Sequence, residues 1–344
     1  MTWKLALAGC GNVGTALLEI LHRKGAELAT RHGFDCRVCL VTDPLRGVAL
    51  NPEGLDLGTL LEKLRNGGTF NGLPEGLGSF ESLLARSGAN LFADATPTNL
   101  TTGEPGLTHL RVALSRGVHA TTSSKGPLAV AAEELESLAK RHGALFRYEG
   151  AVMSGTPLVA LIRENLAGCA VTKVEGILNG TTNYMLTRME EGLSYGEALA
   201  EAQGKGYAEA DPTADVEGWD AAVKVAILSR VVSGVALPVD RVDRTGISAL
   251  TPADLRKAKE EGRRIRLVAT LIPDPESPVA KVAPERLPLD HPLASVRGAT
   301  NAATLHTDHL GPITITGPGA GRTETGQALL TDLLAIARLA REEN

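Results

Sequence analysis

Residues 3–25 read WKLALAGCGNVGTALLEILHRKG, and this segment sets the architecture of the amino-terminal half. An apolar run precedes the pattern Gly9-x-Gly11-x-x-Gly14, and apolar residues at helical spacing follow it. We predict a strand, a tight turn and a helix that ends at Gly25. In this order the glycines let the pyrophosphate of a dinucleotide approach the backbone at the positive end of the helix. The segment therefore predicts a cofactor site formed by Gly9, Gly11, Asn12, Val13 and Gly14.

Two polar residues near the next strand bear on the choice of cofactor. Asp43 ends the second predicted strand, residues 37–42, and Arg46 follows three residues later. An acid at this position accepts hydrogen bonds from the adenosine ribose, whereas an arginine can pair with the 2′-phosphate of NADP. A turn aspartate before Pro44 is the alternative interpretation. We expect use of both NAD and NADP, with Asp43 and Arg46 as candidate cofactor-binding residues.

Two further strands of this half end in polar residues. The strand over residues 90–94 leads into Thr96 and Pro97, and the strand over residues 118–122 leads to Lys125. Because ligands bind at the carboxyl ends of strands in such sheets, all three residues are candidates for the cofactor site. As a bare sequence feature, Lys125 is equally compatible with a surface position.

Residues 204–224, GKGYAEADPTADVEGWDAAVK, place many acidic side chains around one lysine, Lys224. Apolar residues at helical spacing predict one helix over residues 213–232, which puts Asp220 and Lys224 on one face. A solvated ion pair on a surface helix is the alternative interpretation. Because the acids lie beside the apolar stripe, we expect a polar pocket.

Composition and charge exclude several classes of protein. The 344 residues suffice for about two domains, and 43% hydrophobic with 22% charged residues is ordinary for a globular protein. A net charge of −5 and few aromatic residues argue against a nucleic-acid or anionic membrane surface. No signal-peptide pattern precedes the first strand, and no apolar run reaches the ~20 residues of a membrane span. We expect a cytoplasmic protein.

Cysteine usage gives no disulfide framework in a chain of this length. Of four cysteines, Cys36 and Cys39 form a lone CxxC pair in a strand-like context. Without a second pair, this spacing argues against a metal or redox role. We also expect that none of the four cysteines lies beside a base.

The β-α alternation ends near residue 149 and predicts an α/β protein of two domains. Residues 1–149 form a Rossmann-type NAD(P)-binding domain, and residues 150–308 form an α+β substrate and dimerisation domain with a mixed sheet. A second glycine-rich turn at residues 317–321 precedes an amphipathic helix. We therefore predict that residues 309–344 return to complete the nucleotide-binding domain.

Together these motifs resemble the homoserine dehydrogenases over essentially the whole chain. The similarity is carried by residues 9–14, 124–127, 179–184 and 317–321, and above all by the acidic block 209–224. The resemblance implies NAD(P)-dependent interconversion of L-homoserine and L-aspartate 4-semialdehyde, on the route to threonine, isoleucine and methionine. It also implies a homodimer built through the sheet of the second domain.

The resemblance also implies roles for individual residues. Those that would hold the amino-acid end of the substrate are Gly180, Thr181, Tyr207 and Glu209, with Asp215 and Asp220 in the same pocket. Lys125 and Lys224 would face the reacting oxygen, and the cofactor would be lined by Thr96, Pro97 and Gly321. A sodium or similar cation would be bound by Glu149 and by the carbonyls of Val152, Ser154 and Thr156.

One departure from the family pattern concerns regulation. Many members carry a regulatory ACT domain after the final helix, whereas this sequence ends at Asn344. We therefore expect activity that is insensitive to threonine.

Hydride transfer to the aldehyde leaves an alkoxide, which needs a positive charge and a proton. We predict that Lys224 donates the proton and that Asp220 positions it, with Lys125 as the competing donor. Another amino-acid-pathway dehydrogenase is one alternative. A semialdehyde dehydrogenase that forms an acyl-enzyme requires an activated cysteine, and we expect no cysteine beside a base in this chain. A non-catalytic NAD(P)-sensing protein is the other alternative. Such a protein would need no acid–lysine pocket, whereas this sequence predicts one.

Overall fold

The computed structural model describes residues 2–70 and 78–342 of the chain. The strands are β1 (Trp3–Ala8), β2 (Cys36–Asp43), β3 (Gly47–Leu50), β4 (Leu91–Asp94), β5 (His119–Thr122), β6 (Phe146–Arg147), β7 (Val171–Ile177), β8 (Asp243–Arg244), β9 (Arg263–Ile272), β10 (Val279–Pro288), β11 (Thr300–Thr307) and β12 (Gly311–Pro318). The α-helices are α1 (Asn12–His32), α2 (Leu57–Arg65), α3 (Phe80–Ser87), α4 (Gly106–Ser115), α5 (Lys125–Arg141), α6 (Leu158–Ala160), α7 (Gly180–Glu190), α8 (Tyr195–Gly204), α9 (Thr213–Val216), α10 (Trp219–Ser233), α11 (Pro252–Glu260) and α12 (Arg322–Glu342). A π-helical turn, Leu161–Asn165, follows α6. Within the described ranges, no helix combines the length and apolar character needed to cross a membrane.

The first compact unit comprises Met1–Ala151 together with Gly321–Asn344. Over its described residues it has a six-stranded sheet in the order β3-β2-β1-β4-β5-β6. Neighbouring strands are parallel except β2 and β3, an antiparallel pair that the sequence did not predict. The chain order reverses at β1, which lies between β2 and β4, and doubly wound sheets bind ligands at such a reversal. This confirms the predicted Rossmann-type α/β architecture.

Helix α12 is an integral part of the first unit. Its buried Asp332 accepts hydrogen bonds from Thr121 Oγ1 at 2.7 Å and from the Glu149 amide at 2.8 Å. Leu333 of α12 shares one core cluster with Trp3 of β1, and burying one leucine side chain contributes about 1.5–3 kcal/mol. The return segment starts at Gly321, not at residue 309 as predicted, because β12 pairs with β11 in the second unit.

Helix α1 is longer than its sequence pattern predicted. It passes through Gly25 and ends at His32, where Gly33 adopts a left-handed φ of 60°. The helical spacing of apolar residues continues past Gly25 to Leu28, which is buried. Packing of the apolar face therefore outweighs the low helix propensity of one glycine.

We expect Gly25→Ala to raise the free energy of unfolding by about 0.5–1 kcal/mol. A Cβ added at Gly25 meets no atom within 4 Å, so alanine reduces the backbone entropy of the unfolded chain without a steric cost. Denaturant unfolding of the variant and the wild type measures the difference. A destabilised variant would contradict this view of the helix.

The second unit, Val152–Ala320, has a mixed sheet. In its described residues the order is β12-β11-β7-β9-β10-β8, with antiparallel neighbours except the short parallel pair β8 and β10. A capping box formed by Ser194 and Glu197 is present at the start of α8. These features confirm the predicted α+β domain with a mixed sheet.

One predicted helix is divided in the structure, and the division lies next to candidate site residues. The single helix expected over residues 213–232 is divided into α9 and α10 by Gly218, whose φ is 78°. The break places Asp220 in the first turn of α10, where the helix dipole favours a carboxylate. Helix α5 starts at Lys125, which therefore lies in its first turn.

Candidate active site

Two carboxylates and one amide form the centre of a polar cluster in the second unit. Asn179 follows β7 and caps α7, where its Oδ1 accepts from the Thr182 amide at 2.9 Å. Because Oδ1 is engaged there, the Nδ2 group points the other way and donates to two acceptors. These are Asp215 Oδ1 at 2.7 Å and Asp220 Oδ2 at 2.9 Å. Asn179 thus holds both carboxylates at one point.

Lys224 joins the cluster from one turn further along α10. Its Nζ donates to Asp220 Oδ2 and to the Leu178 carbonyl, each at 2.7 Å. The residue is 7% exposed, so the pair is not the solvated surface ion pair that the alternative interpretation required. The predicted proximity of Asp220 and Lys224 is confirmed. Two carboxylates with one ammonium give the cluster a net charge of −1, which suits a cationic ligand group.

The other predicted substrate residues lie in the same unit. Thr181 is buried, and its Oγ1 donates to the Tyr207 carbonyl at 2.6 Å. Tyr207 is 45% exposed and its ring contacts that of Tyr184, with centroids 5.0 Å apart. Glu209 is exposed on the same loop. Packing alone requires glycine at position 180, since a Cβ there would lie 2.6 Å from the Ala299 carbonyl oxygen.

Burial raises the pKa of Asp215, and the neighbouring Asp220 carboxylate raises it further. The hydrogen bond from Asn179 and the charge of Lys224 act in the opposite direction. A carboxyl whose pKa is raised by folding contributes stability below its ordinary value of 3.8, and this contribution is lost as the pH rises through the folded pKa. The wild type therefore carries a destabilising charge at neutral pH, as expected of a functional residue.

We expect Asp215→Asn to unfold at higher denaturant concentration than the wild type at pH 7, because asparagine cannot ionise. The gain should grow as the pH rises above 3.8, the ordinary pKa of the group, because wild-type Asp215 loses its proton as the pH passes through its raised pKa. Unfolding curves at several pH values measure it, and kcat/KM should fall in the same variant. A gain that does not vary with pH would contradict the role of this carboxyl.

The glycine turn of the first unit has the shape that a dinucleotide requires. Gly9 has a φ of 92°, and a Cβ at Gly14 would lie 1.9 Å from the Gly9 carbonyl oxygen, so neither position accepts a side chain. A Cβ at Gly11 would meet nothing within 4 Å, which leaves open space above the turn. Helix α1 starts at Asn12 without a side-chain cap, and Val13 lies in its first turn. The open space and the uncapped amides fit a pyrophosphate.

Asp43 and Arg46 both lie at the carboxyl end of β2, but each has local partners. Asp43 Oδ1 accepts from the Leu45 amide at 2.9 Å and the Arg46 amide at 3.0 Å, which confirms the turn interpretation. Its Oδ2 accepts from the Cys10 amide at 2.7 Å and thereby fixes the glycine turn. Arg46 Nη1 donates to the carbonyls of Gly67 and Gly68 at 2.7 and 3.3 Å. Ribose binding by Asp43 stays a prediction.

The remaining cofactor candidates lie in loops or in the first turn of a helix of the same unit. Thr96 is buried, and its Oγ1 donates at 2.6 Å to Asp94, the last residue of β4. Pro97 follows it and is exposed, and Lys125 lies after β5, the strand that pairs with β4. The carboxyl ends of β1, β4 and β5 thus share one edge of the sheet. Gly321 precedes α12, where its carbonyl accepts from Thr325.

The residues of the predicted cation site are divided between the two compact units. Glu149 belongs to the first unit and is 1% exposed. Val152, Ser154 and Thr156 belong to the second unit and are buried. Met153 and Ser154 are the only described non-glycine residues with positive φ, at 56° and 52°. Such a backbone costs free energy and turns consecutive carbonyls out of a regular pattern.

Sequence reasoning missed two partners of the cluster and misjudged one cysteine. The sequence indicated Asn179 only as part of the motif 179–184. A backbone carbonyl, such as that of Leu178, leaves no sequence signal.

Cys169 Sγ lies 3.5 Å from His309 Nε2, so the expectation that no cysteine lies beside a base was wrong. The two residues are far apart in sequence, and only the pairing of β11 with β7 brings them together. Cys36 and Cys39 lie three apart in β2, and Cys39 is the residue that is skipped where the pairing of β2 with β1 shifts register.

Comparisons with known proteins extend over nearly the whole chain. A family model described as homoserine dehydrogenase matches residues 157–334. The NAD(+)-dependent homoserine dehydrogenase of Pseudomonas canavaninivorans is 43% identical over 341 residues, which cover 98% of this chain and 97% of that protein. A homoserine dehydrogenase of Methanocaldococcus jannaschii is 36% identical and covers 96% of this chain and 98% of its own. The structure of a hyperthermophilic archaeal homoserine dehydrogenase in complex with NADPH matches with a TM-score of 0.82 at 30% identity, over 98% of each chain.

Proposed function

This chain belongs to the homoserine dehydrogenase family, and from that premise we propose that the cluster around Lys224 is its catalytic centre. The protein is an NAD(P)-dependent oxidoreductase that interconverts L-homoserine and L-aspartate 4-semialdehyde. The observation that carries the proposal is the buried contact of Lys224 Nζ with Asp220 Oδ2 at 2.7 Å, beside a second carboxylate. An ammonium held in this way can supply both a positive charge and a proton.

The charges of the cluster match both ends of the substrate. Homoserine carries an ammonium and a carboxylate at one end and the reacting hydroxyl at the other. Asp215 and Asp220 offer negative charge to the substrate ammonium. Further contacts with the amino-acid end of the substrate are assigned to Gly180, Thr181, Tyr207 and Glu209. When bound, the nicotinamide supplies or accepts the hydride. The residues of this chain therefore have to orient the substrate and to handle one proton.

The proton step is assigned to Lys224. In the direction of aldehyde reduction, the π electron pair of the C=O bond moves onto the substrate oxygen, and that oxygen takes the proton from Nζ. In the reverse direction the neutral amine takes the hydroxyl proton. Asp220 Oδ2 and the Leu178 carbonyl orient Nζ, which fixes the direction from which the proton is delivered. Lys125, in the first turn of α5, is the competing donor.

The nucleotide is proposed to bind at the glycine turn, with Thr96, Pro97, Lys125 and Gly321 lining it and Asp43 accepting from the ribose. Because Arg46 is engaged by the carbonyls of Gly67 and Gly68, it is less available to a 2′-phosphate than the sequence suggested. A negative Asp43 also repels that phosphate. These contacts favour NAD+ over NADP+.

We expect Asp43→Asn to lower the NAD+/NADP+ ratio of kcat/KM by about tenfold, because one charged hydrogen bond contributes about 1.5–3 kcal/mol and 1.4 kcal/mol is one decade. Arg46→Ala is the matched variant on the same turn and should change the ratio less. The measurement is kcat/KM for both cofactors at saturating homoserine. If neither variant changes the ratio, this turn does not select the cofactor.

Two further features are proposed from the family resemblance. A sodium-like cation would be bound by Glu149 with the carbonyls of Val152, Ser154 and Thr156. The left-handed backbone at Ser154 supports this proposal, because it turns consecutive carbonyls out of a regular pattern, in which they can serve as hard oxygen ligands.

A homodimer would form through the sheet of the second unit. Its edge strand β12 supports this, since none of its residues is fully buried in the single chain. Light scattering of the purified protein tests the assembly.

The activity is tested by turnover of L-homoserine with NAD+ and with NADP+, followed by absorbance of the reduced nicotinamide. We expect oxidation of homoserine to the semialdehyde with at least one of the two cofactors. Turnover of another amino alcohol or hydroxy acid but not of homoserine would favour a different amino-acid-pathway dehydrogenase. Cofactor binding without turnover of any of them would favour a sensing protein.

A further inference from the structure

A cysteine, a histidine and an aspartate meet on the surface of the second unit, and none of them belongs to the cluster around Lys224. Cys169 precedes β7, whereas Asp308 and His309 lie in the turn between β11 and β12. Cys169 Sγ lies 3.5 Å from His309 Nε2, and His309 Nδ1 lies 2.7 Å from Asp308 Oδ1. One ligand atom from each residue lies within 4.8 Å of the others. Three groups that bind metals therefore converge at one point.

The three residues are held by the backbone on both sides. The Asp308 amide donates to the Ala170 carbonyl at 3.0 Å. Asp308 Oδ1 in turn accepts from the Ala170 amide at 3.1 Å. Thr307 Oγ1 also donates across the turn to the Gly311 carbonyl at 3.0 Å. These bonds tie the turn to the start of β7, so Cys169 and His309 are placed by the fold rather than by chance contact of mobile side chains.

The partner of Nδ1 determines what Nε2 can do. Because the Asp308 carboxylate can only accept, the neutral His309 ring carries its proton on Nδ1. The lone pair of Nε2 then points towards Cys169 Sγ. A carboxylate that fixes the ring of a metal-binding histidine in this way is the usual outer-shell partner in zinc sites.

The distance between the two donor atoms fits a single metal ion. Zinc bonds of about 2.3 Å to sulfur and about 2.0 Å to nitrogen, set at a tetrahedral angle, place the two donors about 3.5 Å apart. The observed separation of Sγ and Nε2 is 3.5 Å. Cys169 is half-buried and His309 is exposed, so water can occupy the remaining positions around the ion.

We propose that Cys169 Sγ and His309 Nε2 bind a divalent ion of the zinc class, with Asp308 as the outer-shell carboxylate. Thiolate and imidazole donors select zinc, cobalt and similar ions over magnesium and calcium, which take oxygen ligands. On binding, the Cys169 thiol releases its proton to water and the ion takes the thiolate. The ion links the segment before β7 to the turn after β11. The proposal does not depend on the catalytic assignment.

The test is titration of the metal-free, full-length protein with Co²⁺, which gives a charge-transfer absorption band when bound to a thiolate. We expect the band to appear with one equivalent and to be displaced by Zn²⁺. Cys169→Ser should abolish the band. Asp308→Ala should lower the Co²⁺ affinity by about 10–100-fold, the usual effect of losing an outer-shell partner. Zn²⁺ should also slow alkylation of Cys169 by iodoacetamide.

Matched variants separate this site from other metal-binding groups. Cys36→Ser removes another thiol, and His306→Ala removes another imidazole of the same sheet, whose Nε2 contacts Glu175 Oε2 at 2.7 Å. Both should keep the band, and the melting temperature without metal confirms that each variant folds. A band that persists in Cys169→Ser, or that is lost in His306→Ala, would overturn the proposal. Rapid alkylation of Cys169 that depends on His309 but not on Zn²⁺ would also overturn it, since it would show a reactive thiol pair without a metal.

Discussion

Replacement of Lys224 by alanine is expected to lower kcat for homoserine oxidation by about 10²–10⁴, the usual effect of losing a general acid or base. The physical reason is that Lys224 Nζ is fixed by Asp220 and by the Leu178 carbonyl, in a cluster that excludes most solvent. Water entering the space of the side chain would be neither charged nor oriented. The measurement is steady-state kcat at saturating homoserine and NAD+.

Two further variants separate the chemistry from a general loss of structure. Lys205→Ala removes an exposed lysine from the C-terminal end of α8 and should leave kcat unchanged. Asp220→Asn retains the shape of the side chain but not its charge, so we expect a smaller loss of kcat and a displaced pH profile. If Lys224→Ala retained wild-type kcat, Lys224 would have no part in proton transfer.

The second large effect is expected at the glycine turn, where Gly11→Ala should raise the dissociation constant of NADH by about 10–100-fold. A methyl group there projects into the open space proposed for the pyrophosphate, and loss of one charged hydrogen bond costs about 1.5–3 kcal/mol. The backbone of Gly11 has a φ of −70°, which alanine adopts without strain. Fluorescence titration with NADH measures the affinity.

The controls for this prediction lie in the same helix. Gly25→Ala has an equally open Cβ position but lies away from the turn, so it should bind NADH like the wild type. Gly14→Ala is not informative about binding, because its Cβ would overlap the Gly9 carbonyl and disturb the fold itself. Unchanged affinity in Gly11→Ala would show that the cofactor does not approach this turn.

The architecture was predictable where local pattern and packing agree. Strand β1 and the glycine turn were predicted correctly because an apolar run and a glycine motif specify both. The end of α1 was wrong because burial of Leu28 further along outweighs Gly25. The single helix predicted over residues 213–232 was wrong, because the spacing of apolar residues does not reveal a left-handed residue such as Gly218. Strand β3 is short and antiparallel, and its pairing with β2 is a tertiary property.

The site was predictable to the extent that its residues are neighbours in sequence. Asp220 and Lys224 are four apart on one helix, so their contact follows from helix geometry. The contacts of Asn179 with Asp215 and Asp220 join residues that helices α7 and α8 separate in the chain, and pairing of that kind is decided by the fold. The same is true of Cys169 and His309. The charge of Arg46 suggested a phosphate partner. Its actual partners, the carbonyls of Gly67 and Gly68, could not be inferred from that charge.

The central claim is that Lys224, and not Lys125, transfers the proton. The most direct test is to measure kcat and the dissociation constant of NADH for Lys224→Ala and Lys125→Ala side by side. We predict that Lys224→Ala loses at least about a hundredfold in kcat while it binds NADH like the wild type. Near wild-type kcat in Lys224→Ala, together with a selective loss in Lys125→Ala, would contradict the assignment and transfer the role to Lys125.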